Sequence, residues 1–221
     1  MFRKSLVFKN SDVKTNGELA LYNSLRNKLD IIFDVGCRND SIFTNFKGDV
    51  HYFDPNPAHL AALSKQANDN NNAHFNGFGL SDVSGQMHYY PKYESFHNRI
   101  KTLGIDDSKN KVLFMVRKAS DYIQDNDIKT IDFLKIDTEG HEYNVLVGFG
   151  DYIKQVKYIQ FEYGGTFADS GVKLADVIRY LGKYGFVNFA YLTRNGSVLI
   201  KNCKDHYQYC NIVCQNSLFS S

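Results

Sequence analysis

From residue 31 onward the chain alternates short apolar runs with polar, amphipathic stretches, and that alternation leaves few folds open. IIFDV (31–35), VHYFD (50–54), AHFNGFGL (73–80), IDFLKID (131–137) and YIQFEY (158–163) read as strands. AHLAALSKQAND (58–69) and VKLADVIRYLGKYG (172–185) read as helices. The second carries Leu174, Val177, Ile178 and Leu181 at helical spacing, with Gly185 as its C-cap. A further helix is expected around residues 18–29. Strands that are each followed by a helix pair in parallel and are covered on both faces, so the expected class is α/β with a mostly parallel, doubly wound sheet. The ending differs: FVNFAYLTRNGSVLIKN (186–202) reads as an antiparallel hairpin turning at Asn195-Gly196. Residues 84–118 are the least regular, with strand-like SGQMHYYP and KVLFMVRKA around a polar segment whose length signals function or mobility.

Bulk properties narrow the partners. The 221 residues contain no Pro- or Gly-rich interruption, so one domain over 1–221 is expected, with 1–30 a lead-in and helix. Twenty-six basic against twenty-four acidic side chains give a formal charge of +2, too balanced for a phosphate-binding face, so no nucleic acid partner is expected. The apolar part of MFRKSLVFKNSD is too short for a signal peptide, and no run is long enough to span a membrane, so a soluble, cytoplasmic protein without membrane contact is expected. Cys203, Cys210 and Cys214 crowd the C-terminus around His206, but their spacings match no paired-cysteine zinc pattern. Together with Cys37 they read as small buried thiols. The NDNNN tract (68–72) reads as a solvated loop.

Ligands of open α/β sheets bind beyond the carboxyl ends of the strands. Here the first strand ends at Asp34-Val35-Gly36, and the second at Asp54, about twenty residues on, the interval expected of an acid that hydrogen-bonds a ribose. A dinucleotide would need further glycines for its pyrophosphate, but Gly36 is followed by Cys37, Arg38, Asn39 and Asp40. S-adenosylmethionine carries adenosine without phosphate, so one glycine suffices. Asp34 or Asp40 would face its ammonium and Arg38 its carboxylate.

FDVGCRND (33–40), HYFDPNPAHLAAL (51–63), GLSDVSGQMHYY (79–90), FLKIDTEGHEYNVLVGF (133–149) and IQFEYGG (159–165) resemble, in order, the motifs of the FkbM family of S-adenosylmethionine-dependent methyltransferases. The resemblance implies the Rossmann-like class I methyltransferase fold and an O-methyltransferase acting on a hydroxyl of a sugar or other small acceptor. It assigns Asp34 and Gly36 to the glycine motif, Asp54 to the ribose, and Ser81-Asp82 to the loop beside the adenine. Cys37 and Arg38 stand where the family usually has Ala-Asn before a second glycine. They either meet the methionine moiety or crowd it.

Asp137, Glu139, His141 and Glu142 close the central strand, where a sulfonium would offset their charge. Gly140 permits the turn into a helix. His141 is the first candidate for the base that removes the acceptor's proton, with Glu139 or Glu142 orienting it or replacing it; Asp137 faces the acceptor or the cofactor. A divalent cation would find Asp137, Glu139 and Glu162 as ligands, though no spacing requires one. A nucleoside-binding module without catalysis and an NAD-dependent oxidoreductase are the alternatives.

Overall fold

The computed structural model describes residues 12–67 and 70–219. The N-terminal stretch 1–11 and residues 68–69 of the asparagine-rich tract lie outside the described residues. The strands are β1 (Ile31–Val35), β2 (Asp49–Phe53), β3 (Ala73–Asn76), β4 (Gly79–Ser81), β5 (Gly85–Tyr89), β6 (Val112–Lys118), β7 (Ile131–Ile136), β8 (Val156–Tyr163), β9 (Phe186–Thr193), β10 (Gly196–Leu199) and β11 (Cys210–Asn216). The helices are α1 (Glu18–Leu25), α2 (Pro57–Gln66), α3 (Ile100–Leu103), α4 (Ala119–Asp125), α5 (Glu142–Gly148), α6 (Thr166–Ser170) and α7 (Leu174–Lys183).

Eight strands form one sheet in the order β10-β9-β11-β8-β7-β1-β2-β3. The pairs β3-β2, β2-β1, β1-β7 and β7-β8 are parallel, as the alternating pattern predicts. Successive residues of β1 serve opposite faces: Phe33 and Val35 join a core with Leu146, Phe149 and Ile159, whereas Ile32 joins Tyr22, Phe43 and Leu63. Both faces are therefore dry, which is why β1 and β7 read as nearly unbroken apolar runs. Asn56 caps α2 by accepting from Ala58 N–H at 3.1 Å, and Pro57 fills the first helical position. Gly185 follows α7 with a φ of +89°.

The structure departs from the sequence reading at three places. The run 73–80 divides into β3 and β4, which belong to different sheets; β4, β6 and β5 form a small sheet, with β5 and β6 antiparallel. The predicted strands of the insert are thus present and paired to each other. The C-terminal hairpin of β9 and β10 exists, but the left-handed dihedral falls on Gly196 (φ +112°) and not on Asn195. Finally, the cysteine-rich end supplies β11, which inserts antiparallel between β8 and β9. Its signal was a period-two alternation, with Ile212, Cys214 and Asn216 inward. All four cysteines are free, and Cys214 is buried in the core as a small apolar group.

Candidate active site

Strand order reverses between β1 and its two neighbours, β2 and β7, so the turns leaving β1 and β7 meet above the sheet. Gly36 N–H donates to Phe53 O at 2.8 Å, and Asp137 N–H to Val35 O at 2.9 Å. Gly36 has a φ of +78°, and a Cβ there would lie 1.9 Å from Asp137 O. Only glycine allows this approach.

The first turn is braced from outside. Asp54, at the end of β2, accepts from Arg38 N–H at 3.0 Å through one oxygen; the other accepts from Asn56 N–H at 2.8 Å and meets His59 Nδ1 at 3.1 Å. Asp34 accepts from Ser41 Oγ at 2.5 Å, while its Oδ1 has no hydrogen-bond partner and stands 3.9 Å from Lys135 Nζ. Burial pushes the Asp34 carboxyl up to about 6, with Lys135 opposing. Burial works against charge on Lys135 too, but Asp137 at 3.4 Å and Asp34 outweigh it and hold the ammonium above its ordinary value.

The second turn braces itself. Glu139 (φ +51°) and Gly140 (φ +105°) bend the chain from β7 into α5. The buried Glu142 carboxylate accepts from Thr138 N–H at 2.9 Å, Thr138 Oγ1 at 3.1 Å and Gly140 N–H at 3.0 Å. Burial raises it to about 7 in spite of these donors. From the insert, Ser95 Oγ donates to Glu139 O at 2.7 Å, and Arg99 places Nη1 3.8 Å from the Glu139 carboxylate. Arg99 is itself fixed by Asp169 at 3.0 Å and by Tyr209 OH at 3.0 Å. Burial, with Asp137, raises Glu139 to about 7 against Arg99 and Arg38. Burial, then Asp137 and Glu139, raises Glu162 well above the usual carboxylate range.

Two hollows open from this junction. A narrow cleft with a free volume of about 30 Å³ runs over Val35, Phe53, Leu80, Tyr89 and Phe96, with Asp54 and Glu94 on its polar side. A larger hollow of about 360 Å³ lies between Asp34, Arg38, Asp40, Lys135, Asp137, Glu139 and Glu162. Gly36, Arg38, Asp137 and Glu139 line both. Oxygens of Asp137, Glu139 and Glu162 come within 4.8 Å of one another, so these carboxylates do converge in space.

Several expected site residues are elsewhere. His141 is 1% exposed, with Nε2 2.9 Å from Ser81 Oγ and Nδ1 3.2 Å from His97 Nε2. Burial and then His97 lower its pKa to about 3, so the ring is neutral. Both nitrogens are engaged beneath the turn, and His141 lines neither hollow; an acceptor there would have no path to it. Ser81 and Asp82 also miss the cleft. Asp82 accepts from Ser81 Oγ at 3.0 Å and Asn144 Nδ2 at 3.1 Å, tying β4 to α5. Cys37 reaches the edge of the larger hollow, but its side chain is buried in the core beside α1. Sequence reasoning passed over Lys135, although it quoted the run containing it. Glu94, Ser95, His97 and Arg99 sit in the polar insert, where length alone hinted at function and nothing marked individual residues.

The lining of the hollows matches an adenosyl amino acid in chemistry, with apolar walls and an acid at the end of β2 for adenosine and an orphaned Asp34 oxygen near the glycine turn for an ammonium; the narrow cleft, at about 30 Å³, has to widen to admit an adenosine. The methyltransferase FkbM domain model matches residues 34–187. No curated protein sequence matches the chain. Among solved structures, an rRNA methylase from Streptococcus thermophilus superposes with a TM-score of 0.50 at 11% identity, covering 89% of this chain and 94% of that one. A Streptococcus mutans protein assigned to the methyltransferases, in complex with SAH, gives 0.52 at 9% identity, with 89% and 96% covered. A TehB-like SAM-dependent methyltransferase from Corynebacterium glutamicum gives 0.50 at 13%, with 91% and 88% covered. Such low identities carry the fold, whereas the domain match spans more than half of the chain and carries the family. The chain belongs to the FkbM family of methyltransferases, and its cofactor is S-adenosylmethionine.

Proposed function

We propose that the chain methylates a hydroxyl of a small polyhydroxylated acceptor, a sugar being the best fit. The observation that carries this reading is the 360 Å³ hollow beside the glycine turn, where Asp137, Glu139 and Glu162 converge opposite Lys135. S-adenosylmethionine, when bound, supplies a methyl group activated by a sulfonium. Asp54 and the apolar walls hold its adenosine, and Arg38, Asp34 and Asp40 attend its amino-acid end. Gly36 gives the close approach.

On the acceptor side, a hydroxyl needs a base, worth about 10²–10⁴-fold, and an aligned position, worth more. Glu139 takes the role first expected of His141: it borders both hollows, and its value of about 7 suits a base at neutral pH. Asp137 and Glu162 accept from neighbouring hydroxyls. Lys135 stays charged and steadies the oxygen as its proton leaves. His141 supports the turn from below. A divalent cation remains an optional guest of the three carboxylates. One structural neighbour is an rRNA methylase, but a hollow lined by so many carboxylates repels phosphates, which favours a small neutral acceptor without nucleic acid. With no helix among the described residues long and apolar enough to cross a membrane, an acceptor dissolved in the cytoplasm fits this reading.

The test is a thermal-shift panel of S-adenosylmethionine, S-adenosylhomocysteine and NAD, followed by transfer of labelled methyl to a sugar panel. Asp54→Ala should lose the shift, and Glu139→Gln should keep it and lose transfer. A shift with NAD alone would favour an oxidoreductase, and binding without transfer to any acceptor a non-catalytic module.

A further inference from the structure

Arg38 is the one Lys or Arg side chain among the described residues lining the narrow cleft. A guanidinium beside a glycine turn is a natural phosphate ligand, because its planar fork matches phosphate oxygens. Here Glu94, from the insert, pairs with it, while the Arg38 side chain stays 49% exposed. Glu94 Oε2 stands 2.5 Å from Arg38 Nη2, and Glu94 Oε1 lies 3.5 Å from His59 Nε2. The other nitrogen of His59 is 3.1 Å from Asp54. Arg38, Glu94, His59 and Asp54 thus form a continuous chain, of which Arg38, Glu94 and Asp54 line the cleft. Glu94 comes from a segment about forty residues beyond Asp54, and its backbone is fixed in the left-handed region at a φ of +50°.

We propose that Glu94 is a specificity-determining residue of this cleft: by pairing with Arg38 and adding a negative charge beside it, Glu94 turns away phosphorylated adenine nucleotides and leaves the cleft to a phosphate-free adenosyl group. This rests on the reading of the cleft as the adenosyl site. The chemistry is a charge balance. With Glu94 in place, a phosphate entering the cleft meets four carboxylates, Asp54, Glu94, Asp137 and Glu139, and a guanidinium with one nitrogen already paired. Without Glu94 the same phosphate meets one carboxylate fewer and an Arg38 released from that pair. The amino-acid end of the cofactor differs from a phosphate in carrying a positive group of its own, which the surrounding acids accept.

The experiment is calorimetry with adenosine, AMP and S-adenosylhomocysteine on the wild type, on Glu94→Gln and on the double variant Arg38→Gln/Glu94→Gln, at low salt. The wild type should favour adenosine over AMP. Glu94→Gln should move the AMP-to-adenosine affinity ratio toward AMP by about tenfold, a change that shrinks as salt rises. The double variant should cancel that gain. A ratio unchanged by Glu94→Gln, or a gain that survives loss of Arg38, overturns the proposal. A wild type that binds S-adenosylhomocysteine while treating AMP and adenosine alike also overturns it and leaves the methyltransferase reading standing. A wild type that binds neither adenosine nor S-adenosylhomocysteine overturns both.

Discussion

The turns leaving β1 and β7 touch and share two hollows, yet they draw their main supports from different places. The β7 turn carries its own brace: Glu142, the first residue of α5, reaches back to the amides of Thr138 and Gly140. The β1 turn borrows its supports from elsewhere, namely Asp54 on the neighbouring strand and Lys135 on β7. A self-braced turn writes its conformation into one short run of sequence. A borrowed one spreads it over residues that only folding brings together. The clustered acids after β7, so costly in isolation, make sense on this view: one is structural and buried in amides, while the others line the hollow.

The contrast is most severely tested where the turns touch. Gly36→Ala would force a Cβ to within 1.9 Å of Asp137 O, a backbone atom that cannot rotate away. A loss of more than about 3 kcal/mol in urea denaturation is expected, with cofactor binding lost as well. A near-neutral result would mean that the turns are independent.

Glu142→Ala probes the self-brace. It leaves two amides without their acceptor and should cost about 2–3 kcal/mol. The pH dependence has a definite sign. The folded value of about 7 lies above the ordinary 4.5, so the stability linked to Glu142 is fully present below 4.5 and is lost as pH rises through 7. The stability difference between wild type and Glu142→Gln should therefore shift against the wild type over that window, by up to about 1.4 kcal/mol per pH unit. A flat difference between pH 4.5 and 8 would remove Glu142 as a buried titrating brace.

Ser41→Ala has the smallest expected effect and probes the one local bond of the first turn, against its borrowed supports. It deletes the donor to Asp34 and should cost about 1 kcal/mol, with the Asp34 carboxyl rising further above 6 in a carbon-13 titration. If Asp34 did not move, burial and Lys135 would set its titration without Ser41.

The same distinction explains how far the sequence could be read. The parallel strands, α2, α7 with Gly185 and the two strands of the insert follow from periodicity and local turn chemistry, and the structure bears them out. The carboxylates of the Asp137–Glu142 run and Asp54 stand at strand ends where the spacing put them, because strand direction alone fixes that end of the sheet. His141 looked like a site residue because the sequence does not show that the chain turns sharply at Glu139 (φ +51°) and Gly140 (φ +105°), which reverses the side its ring faces. Glu139 looks into the hollows, while two residues later the imidazole is turned inward to Ser81 and His97. β11 was hidden because its cysteines suggested chemistry, whereas their alternation with Ile212 was the structural signal.

The sequence by itself determined the class of fold, the end of the sheet where the acids gather and the acidity of that end, since each depends on short-range pattern and strand polarity. The tertiary structure alone decided which acids are braces and which line the hollows, that β11 completes the sheet between β8 and β9, and that Glu94 pairs with Arg38. Those outcomes depend on contacts between segments far apart in the chain, where burial and distance, more than residue type, set what a side chain does.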